Sequence, residues 1–370
     1  MIEKAAGFIK GCSEKTVLIY DIDGDSIGSA AIISKTIERL FGYVPQAFII
    51  SHDLFAVDKG IFKRINDKKI KNIIIVDIAI DEEPKYILEI AKKSKVLVID
   101  HHQVRNNLNR FDNILYVNPF FWKSKIEPFK YCASKLTYDI CSKLTKIEDL
   151  TWLAGLGIIN DYCGEEWKEF LDKIYEKYPV LKKGSEPYSF DSNFGLINHI
   201  ITSGYYHSGN RGGKIAYEAC LEASSPLDIL YVKTSKARLL KVFYNEVQEE
   251  INKVVDNWRD YAEICENKKI VFLELKTKFA VKSPVSTILG IRNPNYTFII
   301  MRRKGNFVSI SLRREDGKVD CGKLATFATE NLENAGGGGH TPAAGASIMV
   351  KDLEKFKENV LKYNEKEKKG

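Results

Sequence analysis

An aspartate and two histidines directly follow four consecutive apolar residues in the run KVLVIDHH, residues 95–102. Residues 96–99 have the length and composition of a strand that is buried on both faces, as in a parallel sheet. Asp100, His101 and His102 would then emerge at the carboxyl end of this strand, where open α/β sheets bind their ligands. For this motif alone, the simpler interpretation is that the three side chains form a hydrogen-bonded corner of the core. Other motifs along the chain are needed to distinguish this from a ligand-binding site.

Apolar runs of strand length alternate with helical patterns through the first third of the chain. The predicted strands cover residues 17–20, 46–50, 73–76, 96–99 and 114–117. The predicted helices cover residues 27–41, the surroundings of Ile61 and Ile65, and residues 87–92. This alternation is typical of βαβ units and predicts a parallel sheet. The carboxyl ends of its strands should therefore face one crevice.

Acidic and imidazole side chains follow four separate apolar segments. They are Asp21, Asp23 and Asp25 after the first strand, Asp77 after the third, Asp100, His101 and His102 after the fourth, and Asp161 after an apolar helix at 150–159. Each aspartate alone could simply cap a helix. Five or six carboxylates in one crevice, however, would repel one another strongly unless cations neutralised them. Carboxylates with one or two imidazoles suit Mn²⁺ or Mg²⁺ better than a metal that prefers thiolates.

Composition sets broad limits on the class of protein. The 370 residues should form two domains with a connector, and 44% hydrophobic with 28% charged residues is an ordinary globular composition. The formal charge of +7 favours polyanionic partners only weakly, because lysine and glutamate are interspersed. Seven cysteines without a CxxC pair indicate free thiols.

No apolar run approaches the roughly 18 residues of a membrane span, and the first residues do not resemble a signal peptide, so we expect no membrane partner and a cytoplasmic location.

The second half of the sequence predicts a helical segment followed by another α/β domain. Residues 227–264 keep helical spacing after Pro226 and predict one long connecting helix. Strands are predicted at 270–275, 297–301, 308–312 and 347–350, with helices near Leu324 and Phe356. The run GGGGH at 336–340 predicts an anion-binding turn, because glycines let backbone amides approach a phosphate closely. A flexible linker is the alternative.

Two other segments each leave two interpretations open. YYHSGNRGGK at 205–214 places Arg211 among glycines, either in a loop that contacts substrate or in a plain exposed turn. Aromatic residues interleaved with lysines at 116–130 would suit a stacking platform for bases. Packing of these aromatics into the core or against a partner chain is the favoured interpretation.

Taken together, the motifs resemble those of the DHH phosphoesterase superfamily. The resemblance rests on DIDGDSIGS at 21–29, VD at 76–77, DHH at 100–102 and ND at 160–161, together with GGGGH, which is similar to the signature of the companion DHHA1 domain. The archaeal RecJ-like single-strand exonucleases are most similar in layout, ahead of the oligoribonuclease and pAp-phosphatase group and the inorganic pyrophosphatases. The resemblance implies an N-terminal parallel-sheet DHH domain at 1–185, a loop and helical connector at 186–265 and a smaller C-terminal α/β DHHA1 domain at 266–370.

The resemblance also implies a role for each motif residue. Asp77 would bridge two metals, Asp23 would bind the first, and Asp25, His101 and Asp161 would bind the second. His102 would face the substrate phosphate, while Asp100 would orient a neighbouring imidazole. Several branches carry a metal-binding histidine where this chain has Ile19, and Asp21 is expected to replace it.

The implied substrate contacts lie mainly in the second domain. Arg313 is expected to pair with a substrate phosphate, and Arg314 to be its solvated neighbour. The other predicted substrate-binding residues are Gly337, Gly338, Gly339, His340 and Arg211. The substrate cleft is expected between the two domains.

The expected function is that of a metal-dependent phosphodiesterase, specifically a RecJ-like exonuclease that degrades single-stranded DNA or RNA to mononucleotides by means of two Mn²⁺ or Mg²⁺ ions. One alternative is a hydrolase of short oligonucleotides, pAp or cyclic dinucleotides, for which Asp25 is more typical. The other is a replication or repair scaffold that has lost catalysis. Expected partners are single-stranded nucleic acid or short oligonucleotides, replication or repair proteins, and a second copy of the chain.

Overall fold

The chain forms two compact units, Met1–Tyr244 and Asn245–Gly370. The computed structural model describes residues 1–50, 70–182, 184, 188 and 191–367, without the side chains of 364–367. The helix predicted around Ile61 and Ile65 lies outside these residues. The domain boundaries inferred from the sequence stay a prediction.

A parallel sheet forms the centre of the N-terminal unit. Within the described residues it has five strands in the order β2-β1-β3-β4-β5, and every neighbouring pair is parallel. The strands are β1 (Thr16–Tyr20), β2 (Gln46–Ile49), β3 (Asn72–Val76), β4 (Lys95–Ile99) and β5 (Ile114–Val117). The central strands β1 and β3 are buried along their whole length, as continuous apolar runs between two helical layers should be. The predicted parallel sheet is confirmed.

Helices cover this sheet and extend the unit beyond it. They are α1 (Ile2–Lys10), α2 (Gly24–Phe41), α3 (Lys85–Ala91), α4 (Ala133–Cys141), α5 (Thr151–Asn160), α6 (Lys168–Lys177), α7 (Asn193–Ser208), α8 (Asn210–Glu222) and α9 (Pro226–Leu230). Helix α2 begins where the side chain of Asp23 accepts a hydrogen bond from the Ser26 amide, and it ends at Gly42 in the left-handed conformation. Its N-terminus is thereby fixed at the carboxyl end of β1.

The glycine-rich segment at 205–214 is helical on both sides of a turn at Gly209, so it is neither an extended loop nor an exposed turn over its whole length. It contains the end of α7 and the first turns of α8, and Arg211 is exposed on α8. A Cβ on Gly204 would lie 2.5 Å from the carbonyl oxygen of Gly212, and one on Gly212 would lie 1.7 Å from that of Gly204. Gly204 and Gly212 therefore allow α7 and α8 to approach closely.

The C-terminal unit contains a mixed sheet. Within the described residues it has six strands in the order β10-β11-β9-β8-β7-β6, of which only β7 and β8 pair in parallel. The strands are β6 (Ala262–Cys265), β7 (Ile270–Glu274), β8 (Thr297–Lys304), β9 (Phe307–Arg313), β10 (Gly336–Gly339) and β11 (Ala343–Met349). Helices α12 (Lys282–Arg292), α13 (Cys321–Thr329) and α14 (Leu353–Glu367) complete this part. The predicted second α/β domain is confirmed.

The single long helix predicted at 227–264 is wrong. Helix α9 ends at Leu230, α10 covers Ser235–Asp256, α11 covers Trp258–Tyr261, and the remaining residues enter β6. Val232 has a φ of 59°, which a right-handed helix cannot contain. The break was not predictable because no glycine or proline marks it.

Among the described residues, no helix is both long enough and apolar enough to cross a lipid bilayer. All seven cysteines are free thiols, and six of them are buried. The predicted thiol state is thus confirmed.

The packing of α2 on α5 gives a test of the fold. A Cβ at Gly28 would lie 2.5 Å from the carbonyl oxygen of Leu153, whereas one at Gly7 in α1 would meet nothing within 4 Å. We therefore expect Gly28→Ala to reduce the free energy of unfolding by about 1–3 kcal/mol through overpacking. Gly7→Ala is the matched control and should raise it by roughly 0.5–1 kcal/mol. Urea denaturation followed by circular dichroism measures both, and equal effects of the two substitutions would contradict this packing.

Candidate metal centre

The carboxyl ends of the parallel strands meet at one pocket of about 410 Å³. Its lining consists of Asp21, Asp23, Asp77, His101, His102, Phe129, Asn160, Asp161 and Tyr162. The predicted convergence of acidic and imidazole groups is thus observed for six of the predicted residues. Asp25 and Asp100 lie behind this lining, and both are buried.

His101 lies at the centre of the carboxylates. Its Nε2 atom is 3.2 Å from Oδ2 of Asp161, 3.5 Å from Oδ1 of Asp77 and 3.9 Å from Oδ2 of Asp25. Its other ring nitrogen, Nδ1, is 3.0 Å from the carbonyl oxygen of Phe129. A carbonyl only accepts hydrogen bonds, so Nδ1 carries the proton in the neutral ring. The lone pair on Nε2 is therefore directed to the place where the carboxylates meet, as a metal-binding imidazole requires.

His102 is held by a second buried carboxylate. Its Nδ1 atom is 2.7 Å from Oδ1 of Asp100, which leaves Nε2 for a ligand in the pocket. Asp100 is fully buried and accepts a hydrogen bond of 3.0 Å from the hydroxyl of Tyr116. The hydrogen bond between Asp100 and His102 would allow Asp100 to orient the imidazole of His102. The functional role of Asp100 stays a prediction.

Asp77 has an unusual backbone conformation. It follows β3 with a φ of 55°, in the left-handed region, and its amide donates to the carbonyl of Ile99 at 2.8 Å. A residue with a Cβ costs of order 1 kcal/mol or more in this region. The pairing of β3 with β4 holds the turn, which brings the carboxylate of Asp77 to His101. Backbone strain of this kind is concentrated at functional sites.

Asn160 joins two carboxylates from distant parts of the sequence. Its Nδ2 atom donates to Oδ2 of Asp23 at 3.1 Å and to Oδ1 of Asp161 at 3.0 Å. The amide of Gly24 donates to Oδ1 of Asn160 at 3.3 Å. The end of α5 is thereby fixed to the start of α2, and the two carboxylates are held side by side.

The carboxylate of Asp25 already has structural hydrogen bonds. Its two oxygens accept from the amides of Ala133, at 2.6 Å, and Ser134, at 2.8 Å, at the N-terminus of α4. Asp25 also lies with Cys132 and Asp161 in a group whose potential ligand atoms are all within 4.8 Å of one another. A second such group contains Asp77, His101 and His102. Asp25 therefore anchors a helix whether or not it binds a metal, and its role as a ligand stays a prediction.

Burial and mutual repulsion shift the acid–base properties of this cluster. For Asp23, burial raises the pKa well above its usual range, and the charges of Asp77 and Asp161 raise it further. Burial also raises the pKa of Asp25 and Asp161. Burial lowers the pKa of His101, but the hydrogen bond to Asp77 and the charge of Asp161 outweigh it and raise the pKa overall. A fully ionised cluster is thus unfavourable without added cations.

The donor atoms fit a hard divalent cation. The pocket offers carboxylate oxygens and imidazole nitrogens, which suit Mn²⁺ and Mg²⁺. The nearby thiol of Cys132 is a poor ligand, because burial and then the charge of Asp25 raise its pKa well above its usual value. The residues therefore fit the predicted metals better than a metal that prefers thiolates.

Several residues of the site were not predicted from the sequence. Phe129 and Tyr162 line the pocket, Tyr116 holds Asp100, and Tyr206 lies near enough to Asp23 that burial and this charge raise its pKa to about 12. Tyr162 directly follows Asp161, which was an available signal. Tyr116 and Phe129 lie in the aromatic segment 116–130, for which a stacking platform was one interpretation, and Tyr206 lies in the segment 205–214, so each of them carried a partial signal.

The GGGGH segment forms a strand and not the predicted anion-binding turn. Gly336–Gly339 is β10, at the edge of its sheet, and the turn that follows is closed by hydrogen bonds between His340 and Ala343. A Cβ on Gly337 would lie 2.6 Å from the carbonyl of Ala325 in α13, so close packing explains a glycine there. Gly338 and Gly339 line a separate pocket of about 600 Å³ beside α13. Phosphate binding by these residues stays a prediction.

Of the two adjacent arginines, Arg314 has an environment that differs from the prediction. Arg313 ends β9 and is ion-paired with Glu315. Arg314 was expected to be solvated, but it is only 7% exposed and donates two hydrogen bonds of 2.7 Å to Asp316. A planar guanidinium satisfies a carboxylate well in this way, which allows its burial. Substrate contacts of Arg313 and of Arg211, which does not line the carboxylate pocket, stay predictions.

Comparison with known proteins places the chain in a family. Residues 15–158 match the model of the DHH family, N-terminal domain, and residues 267–366 match the DHHA1 domain. These two matches define the fold of a DHH-family phosphoesterase. The chain belongs to the DHH/DHHA1 superfamily. No curated protein sequence matches it.

Solved structures share this fold at low sequence identity. RecJ from Thermus thermophilus in complex with Mn²⁺ has a TM-score of 0.72 at 16% identity, over 99% of this chain and 55% of that chain, so this chain spans little more than half of that RecJ. An exonuclease RecJ bound to manganese has a TM-score of 0.71 at 15% identity, over 98% of this chain and 94% of that one. CDC45 from Entamoeba histolytica has a TM-score of 0.58 at 12% identity, over 98% of both chains. Identities this low show a common fold alone.

A divalent cation should stabilise the N-terminal unit, because it neutralises the buried carboxylates. At a concentration 100 times its Kd, Mn²⁺ should add about 2.7 kcal/mol, or very roughly 5–10 °C in Tm. Asp77→Asn should lose most of this shift, while its metal-free Tm should not fall below that of the wild type, since one like charge is removed. Differential scanning calorimetry with and without Mn²⁺ measures both. The exposed Asp112→Asn is the control and should keep the full shift; a full shift in Asp77→Asn would contradict the assignment.

Metal affinity should rise with pH. In the metal-free chain the pKa values of Asp23 and Asp25 are raised, first by burial and then by neighbouring carboxylates. Binding of Mn²⁺ must displace the protons that these groups hold, so affinity should increase as pH rises through the raised values, by up to about ten-fold per pH unit for each displaced proton. Isothermal titration calorimetry in buffers of different ionisation enthalpy counts the released protons. An affinity that stays constant at every pH above the usual range of carboxylate pKa values would refute this coupling.

Proposed function

We propose that this chain is a metal-dependent phosphodiesterase that degrades single-stranded nucleic acid from one end, as a RecJ-like exonuclease. The observation that carries the proposal is the pocket lined by four carboxylates and two imidazoles, with the carboxylates of Asp25 and Asp100 buried behind them. Membership of the DHH/DHHA1 superfamily and a fold like that of RecJ support it. Metal ions at such a site lower the pKa of a bound water and neutralise charge on the phosphate oxygens.

The arrangement suggests which residues would hold two ions. Asp77 would be shared, as the family resemblance implies, and its Oδ1 lies 3.5 Å from Nε2 of His101. Asp21 and Asp23 would complete one set of ligands, and Asp25, His101 and Asp161 the other. Asn160 would keep Asp23 and Asp161 side by side in the correct orientation.

His102 would bind a substrate phosphate. Burial lowers its pKa, but the hydrogen bond to Asp100 and the charges of Asp100 and Asp77 together outweigh burial and raise the pKa to about 9 in the metal-free chain. At neutral pH the ring is therefore positively charged, which favours an anionic ligand at Nε2. Asp100 and Tyr116 would hold the ring in place while the phosphate binds.

The sequence argument for a hydrolase of short substrates is the presence of Asp25, which also has a structural explanation. Asp25 is more typical of the branches that act on small substrates, but in this chain it caps α4 through two backbone amides. Its presence is thus explained by local structure without reference to substrate length. The length dependence of hydrolysis must separate the two functions.

One time course tests the proposal. Single-stranded DNA and RNA of several lengths, labelled at the 5′ or the 3′ end, should be shortened one nucleotide at a time with Mn²⁺ or Mg²⁺ and not with chelator. Asp77→Ala should lose at least about a hundred-fold in kcat/KM, because removal even of an outer-sphere partner of a metal costs 10–100-fold. Asp112→Asn should be as active as the wild type.

Other outcomes would contradict the proposal. Hydrolysis confined to dinucleotides or pAp would sink the exonuclease and favour the short-substrate hydrolase. Nucleic-acid binding without hydrolysis under any condition would favour a scaffold. Appreciable Mn²⁺-dependent turnover by Asp77→Ala would refute the role of Asp77 as the shared ligand.

A further inference from the structure

Two exposed aromatic rings lie at the carboxylate pocket. The side chains of Phe129 and Tyr162 line the same pocket as His101 and Asp161, yet Phe129 is 51% exposed and Tyr162 is 64% exposed. Large aromatic side chains gain most when they are buried, so two exposed ones beside an acidic pocket need an explanation. A flat ligand that covers both rings would explain their exposure.

The main chain that carries these rings is held firmly. The ammonium group of Lys130 donates to the carbonyl of Tyr162 at 2.8 Å, and the indole of Trp167 donates to the carbonyl of Lys130 at 2.8 Å. The carbonyl of Phe129 accepts the hydrogen bond from His101. In all three contacts the acceptor is a main-chain carbonyl oxygen. The main chain that carries the two rings is therefore fixed and is joined directly to His101.

Neighbouring aromatic residues show what structural packing looks like in this region. Trp122 contacts Tyr131 edge to face with ring centroids 6.4 Å apart, and Tyr131 contacts Trp167 at 4.9 Å. The ammonium group of Lys135 lies 4.2 Å from the ring of Trp167. Core packing, the favoured interpretation of the aromatic segment 116–130, thus holds for Trp122, whereas Phe129 of the same segment stays exposed at the pocket.

We propose that Phe129 and Tyr162 form a stacking surface for a nucleobase of the strand whose phosphate is bound at the carboxylates. Stacking on an aromatic ring tolerates any base, because every base has a π-face. The exposed Lys123 and Lys125, in the same segment, would attract the negatively charged backbone. This inference rests on the proposed function and specifies its ligand: the nucleotide is recognised through its base as well as its phosphate, without sequence preference.

Substitution of the rings tests the inference without disturbing the frame, since the carbonyl of Phe129 remains. The substrates are single-stranded trinucleotides in which each nucleotide in turn is abasic, with Mn²⁺. In the wild type at least one abasic position should raise KM about ten-fold, the loss of one average stacking contact. Phe129→Ala and Phe129→Leu should show the same rise with the intact trinucleotide and no further rise with the abasic one. Phe129→Trp should restore wild-type behaviour, and Tyr162→Ala should act like Phe129→Ala.

The control is Tyr231→Ala, a side chain with 55% exposure that does not line the pocket; it should behave as the wild type does. If Phe129→Ala and Tyr162→Ala keep the wild-type ratio between intact and abasic substrates, the stacking surface is refuted while the phosphodiesterase stands. If the wild type hydrolyses none of these substrates, the proposed function fails. Binding of the same trinucleotides in the presence of Ca²⁺ is then measured by fluorescence anisotropy. Equal affinities of the wild type and Phe129→Ala would refute the stacking surface. Loss, in Phe129→Ala, of the part of the affinity that depends on the base would support it.

Discussion

The N-terminal unit depends on the burial of like charges at one edge of a parallel sheet. Oxygen atoms of Asp77, Asp161 and Asp25 approach the same imidazole nitrogen within 3.9 Å. In a low-dielectric interior such charges destabilise one another, and His101 offsets only part of the repulsion. The remaining repulsion is relieved by protons or by bound cations. Folding stability, protonation and metal affinity of this unit are therefore linked quantities, and none of them can change without the others.

Local structure around the cluster serves to hold these charges in place. The left-handed backbone of Asp77 turns its carboxylate into the pocket, and the pairing of β3 with β4 opposes the strain. The amides at the N-terminus of α4 stabilise the ionised form of Asp25, since they carry the positive end of the helix dipole. Asn160 keeps two further carboxylates at a fixed separation. The acidic cluster is thus assembled by backbone geometry more than by contacts among its own side chains.

The sequence was sufficient for the sheet and for the convergence of the acids, because both follow from local pattern. Five apolar runs separated by helical spacing have few alternatives to a parallel sheet, and residues after parallel strands must share one edge. The glycine-rich segments were misinterpreted, because a glycine can either adopt backbone conformations that other residues avoid or allow two helices or strands to approach closely. At Gly204, Gly212 and Gly337 the second use applies, which depends on partners that are distant in sequence. For the same reason the break at Val232 and the buried ion pair of Arg314 with Asp316 could not be foreseen.

The geometry of His101 connects the acidic cluster to the aromatic rim of the pocket. One ring nitrogen faces the carboxylates and the other donates to Phe129, so the imidazole cannot move without moving that carbonyl. Lys130 and Trp167 in turn fix this segment to the loop that follows Asp161. A displacement of the Phe129 side of the pocket would thus change the direction of the Nε2 lone pair. A metal ion held by His101 would therefore be linked to the Phe129 side of the pocket through this hydrogen bond, which neither the DHH motif nor the aromatic segment reveals when each is considered alone.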